Sequence, residues 1–335
     1  MKKTALIVIA YALMLSIAVA CIGCGAPNDS GDSAQDTAAS GNSATGNSSS
    51  GSDSSGSNSS SNNSSSNTSS EDTAPAARVA NFNADRVIAV YTREDGSGTR
   101  DAFVSITGVG GDMYVEAIVN NQTDQILTNV EGNETAIGYV SVGSLNPNVK
   151  ALEIDGVYPS NETIIDGSYK LQRPLLVCVN SDSEGNPLVQ DFIAFMLSAE
   201  GQDISATKWT KIDTRAPAYT SGGMSGTLKV GGSTSVDPLM QALSQAYKIY
   251  NPNVVIEISG GGSGTGISEA TSGVLDIGMS SRALRDNEKE ALKSIDIALD
   301  GVAVIVNPAN PVTGMSIEQV REIFTGEVTR WSDVG

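Results

Sequence analysis

The chain has 335 residues, and its 38 acidic against 20 basic side chains give a formal charge of -18 with no histidine. Without histidine, Ser-His-Asp and Cys-His nucleophiles and imidazole-bound zinc are excluded. The acidic balance argues against nucleic acid as a partner, because clustered Lys and Arg normally hold its phosphates. Cys21, Cys24 and Cys178 are too few for a disulfide framework. We expect no cofactor and no metal site.

Residues 1–24 have the features of an export signal. Lys2 and Lys3 precede an apolar run, and small residues flank the two cysteines that follow it. The run is short for a membrane span, and no basic cluster follows it. The pattern resembles a bacterial lipoprotein signal, in which cleavage leaves a cysteine to be lipidated. Cys24 is favoured over Cys21 as that residue, and the resemblance implies an extracytoplasmic protein anchored to the cell membrane.

Residues 25–77 are almost entirely Ser, Asn, Gly, Asp, Thr and Ala. This segment has no aromatic or large aliphatic side chain to bury, so we expect a disordered linker. A flexible coil of roughly 50 residues has an end-to-end distance of about 40 Å. That length suits a tether that holds a domain away from a lipid surface.

Residues 78–335 have the composition of a globular protein, and their length allows two modest domains. Short runs of β-branched residues at 87–91, 254–258 and 302–306 predict buried strands. Helical patterns lie between such runs. The alternation predicts an α/β architecture with mainly parallel sheets.

Three of the helices are predicted from apolar residues at helical spacing together with their capping residues. These are Pro238 to Tyr250 behind Asp237, a helix that begins at Pro187 behind Asn186, and a helix that opens with a Ser316 and Gln319 capping box and ends at Gly326.

Three segments share one design, in which a strand is followed by Gly, Ser and Thr and then by a helical pattern. The first turn of a helix leaves backbone N–H groups unsatisfied and carries partial positive charge, and glycine lets an oxyanion approach the backbone. One such segment is most often a turn with an N-cap. Three in one chain, at 93–99, 231–235 and 260–266, predict an anion site.

Known phosphate and nucleophile motifs do not fit these segments. The lysine of the P-loop is absent, and the 262–266 glycines lack the spacing of a dinucleotide site. The 261–265 run misses the G-x-S-x-G elbow at its last residue. A small oxyanion remains the best ligand.

The same segments resemble a known family, the PstS-type periplasmic phosphate-binding proteins. The resemblance covers nearly all of residues 86–335 and implies a two-lobe, type II periplasmic-binding-protein-like α/β fold. The first half of that family is matched by residues 232–236, 260–266, 276–282, 300–304 and 323–326 with Trp331. Its second half is matched by residues 93–103, 136–141, 169–175 and 192–202.

In that family two lobes close over one dehydrated phosphate, and the resemblance gives the matching positions their roles. By this resemblance, phosphate oxygens are held from one lobe by Thr234, Ser235 and Ser263. Arg93 supplies the positive charge and is oriented by Asp95. The cage is closed from the other lobe by Ser97, Gly98 and Thr99.

In this interpretation Asp276 is the residue that discriminates between phosphate and sulfate. A carboxylate accepts hydrogen bonds but does not donate them, so it favours an oxyanion that still carries a proton, as phosphate does, over fully ionised sulfate. The structural alternative for Asp276 is a turn or helix cap at the end of a strand.

The order of the two halves is inverted relative to the family, so we expect a second-half lobe at 78–205, a linker at 206–225 and a first-half lobe at 226–335. Two explanations are open. One is that the chain is a circular permutant, because a fold tolerates new chain ends at exposed connections between lobes. The other is that it is a fragment of a tandem whose site needs a partner chain. In a permutant, residues 173–175 would be the sole crossing between lobes and the hinge would be looser.

The resemblance implies a lipid-anchored protein that captures inorganic phosphate by lobe closure and delivers it to the permease of an ABC importer, with no covalent step. Two other functions on the same fold stay open, a phosphohydrolase and a phosphate-sensing or surface module. Arsenate or another tetrahedral anion also stays open as the ligand.

Overall fold

The computed structural model describes residues 82–334. The expectations for the signal at 1–24 and the linker at 25–77, including lipidation of Cys21 or Cys24, lie outside the described residues. Within 82–334, none of the helices combines the length and the apolar character that a membrane crossing requires.

Strands and helices alternate along the described chain, as the sequence periodicity predicts. The strands are β1 (Ala89–Arg93), β2 (Ile118–Asn120), β3 (Ala136–Ser141), β4 (Lys150–Ala151), β5 (Glu153–Ile154), β6 (Gln172–Val179), β7 (Ser225–Gly232), β8 (Asn253–Gly260), β9 (Ile277–Ser280), β10 (Lys293–Val306) and β11 (Gly314–Met315).

The α-helices connect these strands and cover the sheet. They are α1 (Gly98–Thr107), α2 (Thr123–Glu131), α3 (Asn161–Ile165), α4 (Ser181–Glu184), α5 (Pro187–Met196), α6 (Ala199–Ser205), α7 (Asp237–Tyr250), α8 (Ser263–Thr271), α9 (Asp286–Lys289) and α10 (Ile317–Thr325).

Side-chain caps fix the starts of two of the three predicted helices. The third, α7, has no side-chain cap, because Asp237, which was expected to be its cap, is its first residue. At α10, Gln319 N–H donates to Ser316 Oγ at 3.1 Å and Ser316 N–H donates to Gln319 Oε1 at 2.8 Å. The helix ends at Gly326, whose φ of 82° lies in the left-handed region that glycine adopts without strain. At α5, Leu188 N–H donates to the side chain of Asn186 at 3.0 Å. The capping predictions for both helices are confirmed.

The main sheet has nine strands among the described residues, in the order β2-β1-β3-β10-β6-β9-β7-β8, with β4 also paired to β10. β1 runs parallel to β2 and β3, and β7 runs parallel to β8 and β9. β10 is antiparallel to β3 and β6, and β6 is antiparallel to β9. Two parallel groups are therefore joined by antiparallel strands, and β5 pairs with β11 in a small separate sheet.

Strand β10 is much longer than the predicted run at 302–306. It covers 14 residues and pairs first with β6, from Lys293 to Gly301, and then with β3, from Val302 to Val306. Its first part was not predicted from the sequence, because charged and small residues interrupt the β-branched pattern there. One continuous strand therefore belongs to both parallel groups.

The two largest hydrophobic core clusters of the described chain mark two lobes. The core of lobe A, formed by residues 82–171 and 302–334, includes Tyr139. The core of lobe B, formed by residues 175–298, includes Phe192 and Leu243. The backbone crosses between the lobes in β6 and again in β10.

The predicted lobe boundaries at 78–205, 206–225 and 226–335 are therefore corrected. Helices α5 and α6 pack in lobe B, and the end of β10 packs in lobe A. The 206–225 segment is packed and is not a free linker, since Trp209 is buried in the core of lobe B and Tyr219 packs against that core. It also touches lobe A, because a Cβ on Gly143 would overlap Trp209 Nε1 and Thr210 Oγ1 donates to Asn161 Oδ1 at 3.3 Å. Strand pairing, and not the order of the motifs, decides which residues share a core.

Two strands cross between the lobes, so the expectation of a sole crossing at 173–175 was wrong. A buried ion pair joins them, because Arg173 Nη2 and Nε donate to Asp300 Oδ2 at 2.9 and 3.1 Å. Asp300 Oδ1 accepts from Ser141 Oγ at 2.9 Å and from Gly143 N–H at 3.4 Å. Burial raises the pKa of Asp300, and the charge of Arg173 opposes that rise. The crossing is a hydrogen-bonded strand pair with an internal salt bridge.

A third segment completes the backbone pairing at this crossing. Pro174 lies opposite Leu299 in the β6 and β10 register and has no N–H to donate. Leu299 instead donates to Thr210 O at 2.7 Å and accepts from Thr210 N–H at 3.0 Å. The 206–225 segment is thereby fixed to the crossing strand.

The first and last described segments are neighbours in lobe A. Ile88 N–H donates to Thr329 O at 2.9 Å, and the rings of Phe82 and Trp331 meet edge to face with centroids 6.3 Å apart. These two segments, which lie far apart in sequence, are therefore adjacent in the fold.

We predict that Asp300→Asn destabilises the protein strongly. The amide leaves Arg173 buried without a counter-charge, which costs about 3–5 kcal/mol of unfolding free energy. Denaturant unfolding of the variant measures this loss. The matched control is Asp296→Asn, an exposed position on the same strand, where we expect a change within about 0.5 kcal/mol. Equal stability of the two variants would contradict the role given to the ion pair.

Candidate functional site

The three glycine-rich turns meet at one place between the lobes. From lobe A, Thr99 at the start of α1 lies 2.7 Å from Ser235 of lobe B, hydroxyl to hydroxyl. The backbone of the first turn also touches the third, since Gly264 N–H donates to Gly96 O at 2.9 Å. The turns follow β1 of lobe A and β7 and β8 of lobe B. Three antiparallel pairings lie between β1 and β7, so β1 runs opposite to β7 and β8, and their carboxyl ends face each other across the lobe boundary.

Arg93 lies at the centre of this cluster and is only 2% exposed. Its Nη2 donates to Thr234 Oγ1 at 3.1 Å, across the lobe boundary. Nε also donates to the carbonyl of Asn120 at 3.3 Å, and Nη2 to that of Asn121 at 3.3 Å. A guanidinium with so many partners is held in one orientation.

Thr123 is a site residue that the sequence analysis missed. Its hydroxyl accepts from Arg93 Nη1 at 3.2 Å and lies 3.2 Å from Thr234 Oγ1 and 3.5 Å from Ser235 Oγ. Thr123 is the first residue of α2 and is 4% exposed. The available signal was a Thr-Asp pair ahead of apolar residues at helical spacing, which include Ile126.

A second layer of hydroxyls lies beside the first. Ser281 Oγ is 2.9 Å from Ser233 Oγ and 3.3 Å from Ser263 Oγ, and Ser281 N–H donates to Ser263 Oγ at 3.1 Å. Gly98 of lobe A packs directly on this layer, because a Cβ on it would lie 2.7 Å from Ser281 Oγ. Glycine is required here for the close approach of the lobes. Ser281, like Ser233, was not assigned a role from the sequence.

Glu94, and not Asp95, is the carboxylate that orients Arg93. Glu94 accepts from Arg93 Nε and Nη2 through its two oxygens, each at 2.8 Å. The side chain of Asp95 is 95% exposed and is ion-paired with Arg100. The assignment of Asp95 is therefore corrected. Glu94 Oε1 also lies 3.2 Å from the position that a Cβ on Gly262 would take, so it faces the third turn.

The structure does not bring Asp276 to the cluster. Asp276 precedes β9, and its carboxylate accepts from Lys229 N–H at 2.7 Å. Ser281, which lies in the cluster, follows the carboxyl end of the same strand. Four residues of strand separate them by about 13 Å. The backbone cap, which was the structural alternative for Asp276, is what the geometry shows.

Ser97 and Tyr139 support the site from within lobe A. Ser97 caps α1, since its Oγ accepts from Arg100 N–H at 3.3 Å, and it is 1% exposed. Tyr139 Oη accepts from Arg93 N–H at 3.1 Å and lies 2.7 Å from Thr92 Oγ1. Burial raises the pKa of Tyr139. The backbone of the first turn is thereby fixed to the core.

The cluster is rich in hydrogen-bond donors. It combines hydroxyls, one guanidinium and the first turns of α1, α2 and α8, whose initial N–H groups have no partners within their helices. Such a set suits an oxyanion. Residues 82–334 contain no group of three Cys, Asp or Glu side chains that could hold a metal.

Comparison with known proteins assigns the family. The model of the PBP superfamily domain matches residues 61–200 and 217–335, and the chain belongs to this superfamily. The Phosphate-binding protein PstS 2 of Streptococcus pneumoniae is 43% identical over 261 residues, which cover 75% of this chain and 89% of that protein. The PstS 2 of Streptococcus agalactiae is 40% identical over 258 residues, covering 74% and 87%.

A solved structure agrees with these relatives. The crystal structure of a phosphate-binding protein of a phosphate ABC transporter from Streptococcus pneumoniae superposes with a TM-score of 0.62 at 43% identity, covering 75% of this chain and 100% of that one. The resemblance to PstS-type proteins and the two-lobe α/β fold class are confirmed. The relatives are binding proteins by name, which agrees with the expectation that this chain is not an enzyme.

We predict that Gly98→Ala destabilises the packing between the lobes. The added methyl group overlaps the hydroxyls of Ser263 and Ser281, and overpacking of this kind costs about 1–3 kcal/mol. Denaturant unfolding measures the loss. Gly111→Ala is the control, because a Cβ there has no neighbour within 4 Å. If both variants were equally stable, the close approach of the lobes at Gly98 would not hold in solution.

Proposed function

We propose that this protein binds inorganic phosphate between its two lobes and delivers it to an ABC permease. The observation that carries the proposal is the meeting of Arg93 and Thr99 from one lobe with Thr234 and Ser235 from the other. These residues belong to the turns that resemble the PstS family, and relatives above 40% identity are named phosphate-binding proteins.

Capture proceeds by closure of the lobes over the anion, with no covalent step. Lobe A offers Ser97, Gly98 and Thr99 at the start of α1, and lobe B offers Ser263 at the start of α8. Thr123 at the start of α2 adds a further hydroxyl. Charge-assisted hydrogen bonds contribute roughly 1.5–3 kcal/mol each, and micromolar binding requires about 8 kcal/mol. A few such bonds account for micromolar affinity despite the charge of -18.

In this proposal Glu94, and not Asp276, is the carboxylate that discriminates between anions. Within residues 82–334, it is the carboxylate bonded to Arg93, and its Oε1 shares Arg93 Nη2 with Thr234 Oγ1. Its oxygens have lone pairs beyond those used by Arg93. A carboxylate accepts the proton of hydrogen phosphate and repels sulfate, which carries none.

The proposal includes a lipid anchor at Cys24 or Cys21 and an extracytoplasmic location. The apolar run followed by cysteines supports the anchor, and the linker of 25–77 would separate the binding lobes from the lipid. The permease partner follows from the transporter named for the relative of known structure.

We further propose that the chain is a circular permutant and that its site needs no partner chain. Ile88 and Thr329 are hydrogen-bonded neighbours, so the family order can be restored by joining adjacent segments. Both halves of one chain contribute to the same cluster, as the 2.7 Å contact of Thr99 with Ser235 illustrates. A tandem fragment would need a second chain to supply one of these hydroxyls.

Calorimetric titration of the purified protein with phosphate and with sulfate tests the function. We expect one phosphate per chain at micromolar affinity or tighter, and much weaker sulfate binding. Absence of phosphate binding, or equal affinity for both anions, would overturn the proposal. Incubation with a phosphate ester tests for hydrolysis, where we expect no release of phosphate.

We predict that Glu94→Gln reduces the preference for phosphate over sulfate about tenfold, equivalent to ~1.4 kcal/mol. The amide removes a negative charge that repels sulfate and weakens the acceptor for the phosphate proton. Calorimetry of both anions measures the ratio. Asp95→Asn is the matched control, since the Asp95 side chain points to solvent, and it should leave the ratio unchanged. An unchanged ratio in the Glu94 variant would remove Glu94 from anion choice.

A further inference from the structure

An ion-pair cluster joins the lobes beside the hydroxyl cluster. Asp101, in the first turn of α1 in lobe A, faces two arginines that follow β9 in lobe B. Its Oδ2 lies 2.9 Å from Arg282 Nε and 2.9 Å from Arg285 Nη2. One carboxylate oxygen thus contacts two guanidinium groups of the other lobe.

Arg282 is held in place by its own lobe. Its Nη1 and Nη2 donate to the two carboxylate oxygens of Glu288 at 2.7 and 2.8 Å, and its side chain is only 9% exposed. The hydrogen bonds from Arg282 lower the pKa of Glu288. Arg282 is therefore oriented before Asp101 reaches it, so little side-chain entropy is lost when the interlobe pair forms.

The position of these charges couples them to the anion site. Asp101 is one helical turn beyond Gly98, and Arg282 follows Ser281 directly. Gly98 and Ser281 pack on each other across the lobe boundary. Separation of the lobes at the site would therefore also separate Asp101 from Arg282 and Arg285.

We infer that Asp101, Arg282 and Arg285 form a latch that holds the closed lobes together and slows the release of bound anion. The three act as positioning residues, since none of them is hydrogen-bonded to the hydroxyl cluster in the described contacts. The inference rests on the proposed capture of phosphate by lobe closure. It adds that affinity is set in part by contacts outside the anion site.

The test compares Asp101→Asn with the wild-type protein in rapid-mixing measurements of phosphate association and dissociation. The latch contacts form whenever the lobes are closed, with or without an anion, whereas the anion enters the open lobes. We therefore expect the dissociation rate to rise about fivefold while the association rate changes much less. The increase should shrink at high salt, because partly exposed ion pairs are screened. A general loss of structure would not give this separation of the two rates.

Asp286→Asn is the matched control, because Asp286 is fully exposed and pairs with Lys289 inside lobe B. It should leave both rates unchanged. Arg285→Gln removes one of the two interlobe pairs at a side chain that is 62% exposed, so it tests the latch even if the Asp101 variant fails to fold. We expect dissociation about twofold faster in this variant. Dissociation rates equal to those of the control in both variants would overturn the latch.

Solution scattering separates failure of the latch from failure of the proposed function. If the wild-type protein binds no phosphate, the proposed function is wrong. The latch is then tested by the radius of gyration of the ligand-free protein. Asp101→Asn should enlarge that radius relative to Asp286→Asn, because fewer contacts hold the lobes together. If phosphate binds but the rates of the Asp101 variant match those of the control, the function stands and the latch is wrong.

Discussion

The burial of Arg93 is the constraint on which the rest of the site depends. A guanidinium that is 2% exposed needs a counter-charge and several acceptors, because an unpaired buried charge is strongly destabilising. Glu94 provides the charge, carbonyl groups of the β2 end provide acceptors, and Thr234 connects the cation to the other lobe. The site is therefore electrically balanced before an anion arrives. In the function that we propose, anion selectivity depends on the arrangement of donors and on the Glu94 carboxylate, more than on net positive charge.

The convergence of the three turns could be predicted from the sequence. Each turn follows a strand and precedes a helix, so each has helix-start N–H groups without partners, and the family resemblance of the three motifs predicts that they meet. The opposite directions of β1 and β7, which bring their carboxyl ends face to face across the lobe boundary, are set by the strand pairing. Six of the predicted positions lie in the cluster or contact it directly: Arg93, Gly98, Thr99, Thr234, Ser235 and Ser263. Ser97 lies behind them as the cap of α1.

The errors have specific physical causes. Glu94 and Asp95 are adjacent, and only the backbone course of the turn shows that the longer side chain folds back onto Arg93. Asp276 stands before a strand of four residues, so it lies at the amino end, away from the site. Thr123 follows a strand of three residues whose Ile118 and Val119 are about half exposed, which leaves no buried run to detect. The lobe boundaries could not be seen because charged residues interrupt β10 where it crosses.

Pro174 affects how a relative movement of the two lobes would be transmitted from the crossing strands to the rest of the protein. A proline facing Leu299 leaves a gap in the backbone ladder between the two crossing strands, and Thr210 fills the gap from the side. Torsion of the crossing strands would consequently displace Thr210, and with it a stretch of chain that lies on the outside of lobe B. The conformation of the lobes would in this way alter an outer face of the molecule, at a distance from the cluster around Arg93.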